Sequence, residues 1–173
     1  MTAISPPTLH GTATVLRPIA QHDAEALAKI LAEPEVAAWW PAYDAERVRR
    51  ELIEAHGPVV FVIEADGEVI GSIQYFEEPS PDYRHASIDI FIATAHHGRG
   101  LGADAIRTMA RYLVHDRGHH RLAIDPAVTN VRAIRSYQRV GFHPVGVMRR
   151  YERNADGQWQ DCLLMDALAQ DLH

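Results

Sequence analysis

The residues best suited to chemistry begin at His97-Gly98-Arg99-Gly100-Leu101-Gly102-Ala103, where three glycines precede an apolar-periodic run. Glycine permits tight turns and lets a ligand approach the backbone closely. The first turn of a helix carries N–H groups with no intrahelical acceptor. A strand ending at Ile92, followed by this loop and a helix start, aims several N–H groups at one point. That arrangement suits pyrophosphate, with Arg99 as a cation on the solvent side. No Gly-Lys-Ser/Thr follows, so this is not a Walker loop. The glycines also fall past the chain's midpoint, whereas a dinucleotide fingerprint follows a parallel strand near the start.

Two carboxylates stand in unusual places. Asp89 interrupts the apolar run "SIDIFI". By the two-residue period of a strand, Ser87, Asp89 and Phe91 share one face, and Ile88, Ile90 and Ile92 share the other. Asp125 closes "RLAID" directly before Pro126. Carboxylates flanking a cleft attract a polycation and can take a proton from an ammonium group. Asn130 and Tyr137 follow on a helical segment. Each of these also has a purely structural reading: a solvated face for Asp89, a turn carboxylate for Asp125, a helix cap for Asn130 and a half-buried aromatic for Tyr137.

The elements that must position these residues are legible from periodicity. "TATVLR", Thr12–Arg17, reads as a first strand closed by Pro18. "HDAEALAKILAE" is an amphipathic helix with Ala24, Leu27, Ile30 and Leu31 inward. Pro34 ends it or begins a short second turn, "VAAWW" follows, and Asp44 caps a helix running to Gly57. Strands at Val59–Glu64 and Glu68–Phe76 flank the hairpin signal Asp66-Gly67. "HASIDIFI" is a third strand, and a helix then runs from the glycines to His115. A short strand at Arg121–Asp125 and a helix from Asn130 to Gly141 come next. The last strand pair surrounds Asn154–Gly157. This order gives a mixed α/β (α+β) fold with an antiparallel first half and a central βαβ unit. With no repeat and no linker, a single domain over 1–173 is expected.

Composition sets the outer bounds. The chain is 47% hydrophobic and 23% charged, enough to bury a core. It has no 18-residue apolar run, and "MTAISPPTLHG" lacks the pattern of a signal peptide. Cys162 is the only cysteine, which excludes an internal disulfide and suggests the cytoplasm. A net charge of −6 argues against nucleic acid as partner. Arg47, Arg49, Arg50, Arg99, Arg107 and Arg111 lie near the segments that suit an anion. Neither His96–His97 nor His119–His120 has zinc spacing, so no metal is expected.

Taken together, His97-Gly98-Arg99-Gly100-Leu101-Gly102 and the later Asn130…Tyr137…Gly141-Phe142 spacing resemble the Gcn5-related N-acetyltransferase (GNAT) superfamily. Its signature is Gln/Arg-x-x-Gly-x-Gly/Ala at a strand–helix junction, and His97 stands where that signature has Gln or Arg. The resemblance runs from roughly Thr12 to Leu168 and is densest between Ile88 and Phe142. It implies a mostly antiparallel twisted sheet with flanking helices, whose central strands splay around acetyl-coenzyme A. Under it, the amides from His97 to Ala103 hold pyrophosphate and Asn130 holds the pantetheine arm. Backbone at Ile90, Phe91 and Ile92 lies along that arm, and an N–H there stabilises the oxyanion. Tyr137 becomes the general acid toward the thiolate.

Within that superfamily, "EVAAWW", "SIDIFI" and "DPAVTNVRAIRSYQRVGF" resemble the bacterial aminoglycoside 6'-N-acetyltransferases. This likeness implies a small polycationic amine as acceptor. Asp125 then binds or deprotonates the reacting amine, and Asp89 holds an amine on a neighbouring ring. Trp39 and Trp40 wall the sugar site, with core packing an equal reading for one of them. Glu77, Glu78 and Asp82 extend an acidic rim. Siderophore-type lysine acyltransferases and ribosomal-protein N-terminal acetyltransferases are similar alternatives, and a non-catalytic acyl-coenzyme A module is a third. A homodimer through an edge strand or the apolar "CLLMDAL" is a further expectation.

Overall fold

The computed structural model describes residues 6–41 and 43–173. Met1–Ser5, the start of the segment that lacks a signal-peptide pattern, lie outside the described residues. The strands are β1 (Leu9–His10), β2 (Val15–Pro18), β3 (Val59–Ala65), β4 (Glu68–Glu77), β5 (Ala86–Ile92), β6 (Arg121–Ile124), β7 (His143–Arg153) and β8 (Trp159–Leu168). They form one sheet in the order β1-β2-β3-β4-β5-β6-β8-β7. Every neighbouring pair is antiparallel except β5 and β6. The helices are α1 (Ala24–Leu31), α2 (Pro34–Ala37), α3 (Ala45–Val48, continued as a π-turn over Arg49–Ile53), α4 (Leu101–His115) and α5 (Val131–Val140). The mixed fold with a mostly antiparallel sheet and a central βαβ unit is therefore as expected.

Local sequence explains most boundaries. Asp66 and Gly67 have φ of 53° and 80°, the left-handed pair that a tight hairpin turn requires. Asp44 Oδ1 accepts from Arg47 N at 2.8 Å and caps α3. Asn130 Oδ1 accepts from Ala133 N at 3.3 Å and caps α5, which Gly141 ends at φ 120°. The first long strand departs from expectation. It begins at Val15, because Thr12–Thr14 wrap a carboxylate from the first turn of α4. Asp104 accepts from Thr12 N, Ala13 N and Thr14 N at 3.1, 3.0 and 2.9 Å, and from Thr14 Oγ1 at 2.7 Å. Four donors on one carboxylate outweigh a strand ladder there.

The sheet is covered on both faces. On one, α4 and α5 pack Leu101, Ile106, Met109, Leu113 and Val140 against Ile73, Ile88 and Met165. On the other, α1 to α3 pack Leu27, Leu31, Val48 and Leu52 against Val60, Val62 and Phe91. β5 thus sends Ile88 and Ile92 to one core and Phe91 to the other, as a period of two demands. "CLLMDAL" lies in β8, an interior strand with Cys162, Met165 and Ala167 fully buried. The free edge on that side is β7.

The parallel seam between β5 and β6 is short. Ala86 faces Leu122 and Ser87 faces Ala123, and the register ends there. Beyond it the chain after β6 stays with β8. Leu163 N donates to Pro126 O at 2.8 Å and Val128 N to Asp161 O at 3.0 Å. From Ile88 onward β5 therefore borders a gap.

Candidate active site

That gap is the floor of a cleft of about 480 Å³. Backbone direction decides what lines it. Ala93 N donates to Ile70 O, so by alternation the peptide groups of Phe91 and Asp89 face β4. Those of Ile90 and Ile92 face the gap. The Ile90 carbonyl accepts from Trp40 Nε1 at 3.2 Å, and the Ile92 carbonyl accepts from His97 Nε2 at 2.7 Å. This corrects the expectation for Phe91, whose amide is turned toward β4 and away from the opening. Its ring instead meets Trp40 edge-on, with centroids 4.9 Å apart.

At one end of the cleft the glycine loop enters α4. Gly98 and Gly100 have φ of 73° and 78°, and a Cβ on either would meet nothing within 4 Å. These glycines are needed for backbone conformation, with open space above them. Asp104 N is bonded to Gly100 O, which starts the helical ladder. The amides of Leu101, Gly102 and Ala103 precede that ladder and lack helical acceptors. A row of free N–H donors at the positive end of a helix of 15 residues is chemistry for an anion, so pyrophosphate fits the donor set. Arg99 does not join it. Its Nη1 lies 3.1 Å from His96 Nδ1, and the side chain is outside the cleft. Arg47, Arg49 and Arg50 are likewise paired with Glu51 and Glu25, and Arg107 donates to the His173 carbonyl. The arginines that line the cleft are Arg132 and Arg139, both on α5.

The other end is acidic. Asp89, Asp125 and Glu152 gather there with Gln74, and Trp39, Trp40 and Tyr43 also line the cleft. Gln74 faces Asp89 across the β4–β5 pair, and its Nε2 donates to Asp89 Oδ2 at 3.2 Å. Burial pushes the Asp89 carboxyl up to about 6; Gln74 opposes this, and Asp125 and Glu152 add to it. Burial also raises Asp125, against a hydrogen bond from Tyr151. Glu152 reaches the cleft through an irregularity in β7. Met148 pairs with Cys162 but Glu152 pairs with Gln160, so β7 bulges between them, with Arg150 at φ 48°. Gln160 Nε2 then holds Glu152 Oε1 at 2.8 Å.

Tyr137 sits between the two ends, 9% exposed. Burial, then the charges of Asp89 and Asp125, raise its hydroxyl well above the ordinary tyrosine value. Its proton is therefore held throughout the neutral range. Cys162 does not line the cleft, and burial with Glu152 pushes its thiol up to about 12. The cleft thus lacks a cysteine nucleophile.

A scan of family models matches residues 14–143 to the acetyltransferase (GNAT) domain. The chain belongs to the GNAT acetyltransferase family. This GNAT domain is 29% identical over 153 residues to an aminoglycoside N(6')-acetyltransferase type 1 of Klebsiella pneumoniae, covering 77% of this chain and 75% of that one. Among solved structures it is similar to Mycobacterium smegmatis RimJ in complex with CoA-disulfide, with 26% identity, a TM-score of 0.80, and 96% and 88% of the two chains covered. It also shares its fold with AAC(6')-Ib in complex with paromomycin and acetyl-CoA. There the identity is 23%, the TM-score 0.77, and the coverage 92% and 95%. The GNAT fold implies binding of acetyl-coenzyme A, and the glycine loop is the part of this chain whose donors suit its phosphates.

Of the residues singled out in the sequence, the cleft of this GNAT domain gathers Trp39, Trp40, Asp89, Ile90, Phe91, Ile92, His97, Gly98, Gly100, Leu101, Gly102, Ala103, Asp125, Asn130 and Tyr137. Arg99 is left out. So is the acidic rim expected from Glu77, Glu78 and Asp82. Glu77 is held by Arg117 Nη2 and His119 Nε2, each at 2.8 Å, away from the cleft. Gln74 and Glu152 line the GNAT cleft but lie in no motif, while Glu35 and Arg132 fall inside "EVAAWW" and "DPAVTNVRAIRSYQRVGF" without having been singled out. Only the β4–β5 register, the β7 bulge and the α2 and α5 placements bring them there.

Proposed function

We propose that this chain transfers the acetyl group of acetyl-coenzyme A to a primary amine of a small polycationic acceptor, the 6'-amine of an aminoglycoside by preference. The observation that carries this reading is the convergence of Asp89, Asp125 and Glu152 on one end of a cleft whose other end is a seat for phosphate. An acceptor bearing several ammonium groups offsets the repulsion among those carboxylates. The Klebsiella relative supports the acceptor class.

In this reading the amine attacks the thioester directly, with both substrates bound. Asp125, made more basic by burial, takes a proton from the ammonium, directly or through one water. The free amine forms the C–N bond, and an amide turned to the gap, Ile90 N–H or Ile92 N–H, meets the negative charge growing on the carbonyl oxygen. The C–S bond breaks, Tyr137 gives its hydroxyl proton to the departing sulfur, and the nitrogen loses its second proton, which returns through water to the Tyr137 oxygen. Asn130 and the backbone of Ile90 and Ile92 lie along the arm, and most of the acceleration comes from orientation. Trp39 and Tyr43 wall the acceptor end, while Trp40 braces the Ile90 carbonyl.

The test is consumption of acetyl-coenzyme A across aminoglycosides, linear polyamines, hydroxylysine-type amines and N-terminal peptides. Turnover confined to peptides overturns the acceptor assignment. An aminoglycoside with hydroxyl in place of the 6'-amine should be inert if that amine is the one acetylated.

A further inference from the structure

We propose that His97 is a positioning residue, tying the donor seat to Arg132, and that Arg132 is the side-chain cation presented to the pyrophosphate of the donor. The inference rests on the reading of the glycine loop as the seat of acetyl-coenzyme A.

The geometry around His97 is over-determined. Its Nε2 lies 2.7 Å from the Ile92 carbonyl, and its Nδ1 lies 2.6 Å from Arg132 Nη1. A carbonyl only accepts, and a guanidinium only donates. The ring hydrogen therefore sits on Nε2, and Nδ1 is the lone pair that receives Arg132. One imidazole thus joins the end of β5, the residue before Gly98, and the first turn of α5 across the cleft. Arg132 is half exposed, and among the described residues its one hydrogen bond is the bond to His97. Glu35 Oε2 is the carboxylate oxygen nearest to it, at 3.9 Å. A guanidinium has five N–H donors, so Arg132 keeps most of its donors uncommitted while its position is fixed. The cation that the sequence suggests, Arg99, is turned outside. Arg132 supplies from α5 what the loop itself lacks, next to the backbone donors of Gly98 to Ala103.

Glutamine is the informative replacement. Its amide nitrogen can donate to the Ile92 carbonyl, and its Oε1 can accept from Arg132, whereas leucine can do neither. Binding is measured by calorimetry on the whole chain with coenzyme A, dephospho-coenzyme A and pantetheine. Loss of one charge-assisted contact weakens binding roughly tenfold. That loss is expected for His97→Leu and for Arg132→Gln with both coenzyme A and dephospho-coenzyme A, which keeps the pyrophosphate. Pantetheine, which has no phosphate, should bind all variants alike. The double variant should be no weaker than either single one, because both remove the same contact. His97→Gln should stay within about twofold of the parent, and Glu35→Gln should bind slightly more tightly, since a competitor for Arg132 is gone.

A readout without ligand comes from 15N spectra of the histidine rings. His97 should carry its hydrogen on Nε2, and its Nδ1 signal should move in Arg132→Gln. Additive losses, a His97→Gln variant as weak as His97→Leu, or a loss that disappears with dephospho-coenzyme A would each overturn the proposal. A parent protein that bound neither coenzyme A nor dephospho-coenzyme A would overturn the donor reading itself. Normal parent binding with unchanged variants would overturn only the role of His97 and Arg132.

Discussion

Gln74 and Asp89 face each other across the β4–β5 pair, joined by one 3.2 Å hydrogen bond, and the Gln74 Oε1 is buried without a donor among the described residues. The pair is therefore an incomplete network of acceptors. Burial has already lifted the Asp89 carboxyl to about 6, above its unfolded value of 3.8. A folded value above the unfolded one favours the folded state most below pH 3.8 and progressively less as pH rises through about 6. Asp89→Asn, which can keep the bond from Gln74, should raise the melting temperature at pH 7.5 by roughly 2–4 °C, the size of about 1 kcal/mol in a chain of this length. Below pH 4 the gain should vanish. Scanning calorimetry at both values checks this.

The same pair predicts proton release. An acceptor ammonium beside Asp89 favours its ionised form, so binding near pH 6 should expel part of a proton. Affinity should then rise as pH rises through about 6. Titration calorimetry in two buffers of different ionisation enthalpy measures the proton count. Zero release would contradict contact between the acceptor and Asp89.

Asp125→Asn removes the proposed base and leaves the seat intact. Turnover should fall by about 10²–10⁴, while affinity for coenzyme A changes less than about twofold. In the parent enzyme, kcat/KM should rise with pH along a limb lying above the ordinary carboxylate range, because burial raises Asp125. Tyr137→Phe should slow turnover without moving that limb.

Gly100→Ala places a side chain where φ is 78°. The left-handed region costs a non-glycine residue about 1–2 kcal/mol. The space above the loop is open, so the cost is one of conformation. The variant should lose that much stability in urea titration. Its coenzyme A affinity should also fall, as the amides of Leu101, Gly102 and Ala103 move out of line.

Asp104 shows the opposite titration. Burial alone would raise its carboxyl, but the amides of Thr12–Thr14 and the Thr14 hydroxyl outweigh it and hold it below 3.8. Its contribution is present above that value and lost as pH falls through the lower folded one. Asp104→Asn leaves buried donors short of an acceptor and should cost roughly 2–4 kcal/mol at neutral pH. The gap between variant and parent should narrow on acidification.

What a sequence reveals follows the range over which each signal acts. The Asp66-Gly67 turn, the Asn130 cap and the glycine loop are written in neighbouring residues, so local pattern alone discloses them. Asp89 is conspicuous because a charge breaks an apolar strand. Gln74 is not, since a glutamine in a strand means nothing until the register sets it opposite Asp89. Glu152 depends on a register mismatch between β7 and β8 that no local pattern announces. Arg99 misleads because it lies in the right loop but points outward, while Arg132 reaches the right place from another helix. The delayed start of β2 has the same origin, a carboxylate 90 residues away along the chain.

The shortness of the β5–β6 seam has a mechanical side. Strands β1 to β5 form one plate and β6 to β8 another, and among the described residues only Ala86–Leu122 and Ser87–Ala123 are laddered between them. Across that seam α4 and α5 supply the continuity, packing one apolar core against Ile73 and Ile88 on the first plate and Leu122 and Met165 on the second. What the backbone leaves open there, the side chains of α4 and α5 close, so the joint between the plates is an apolar one.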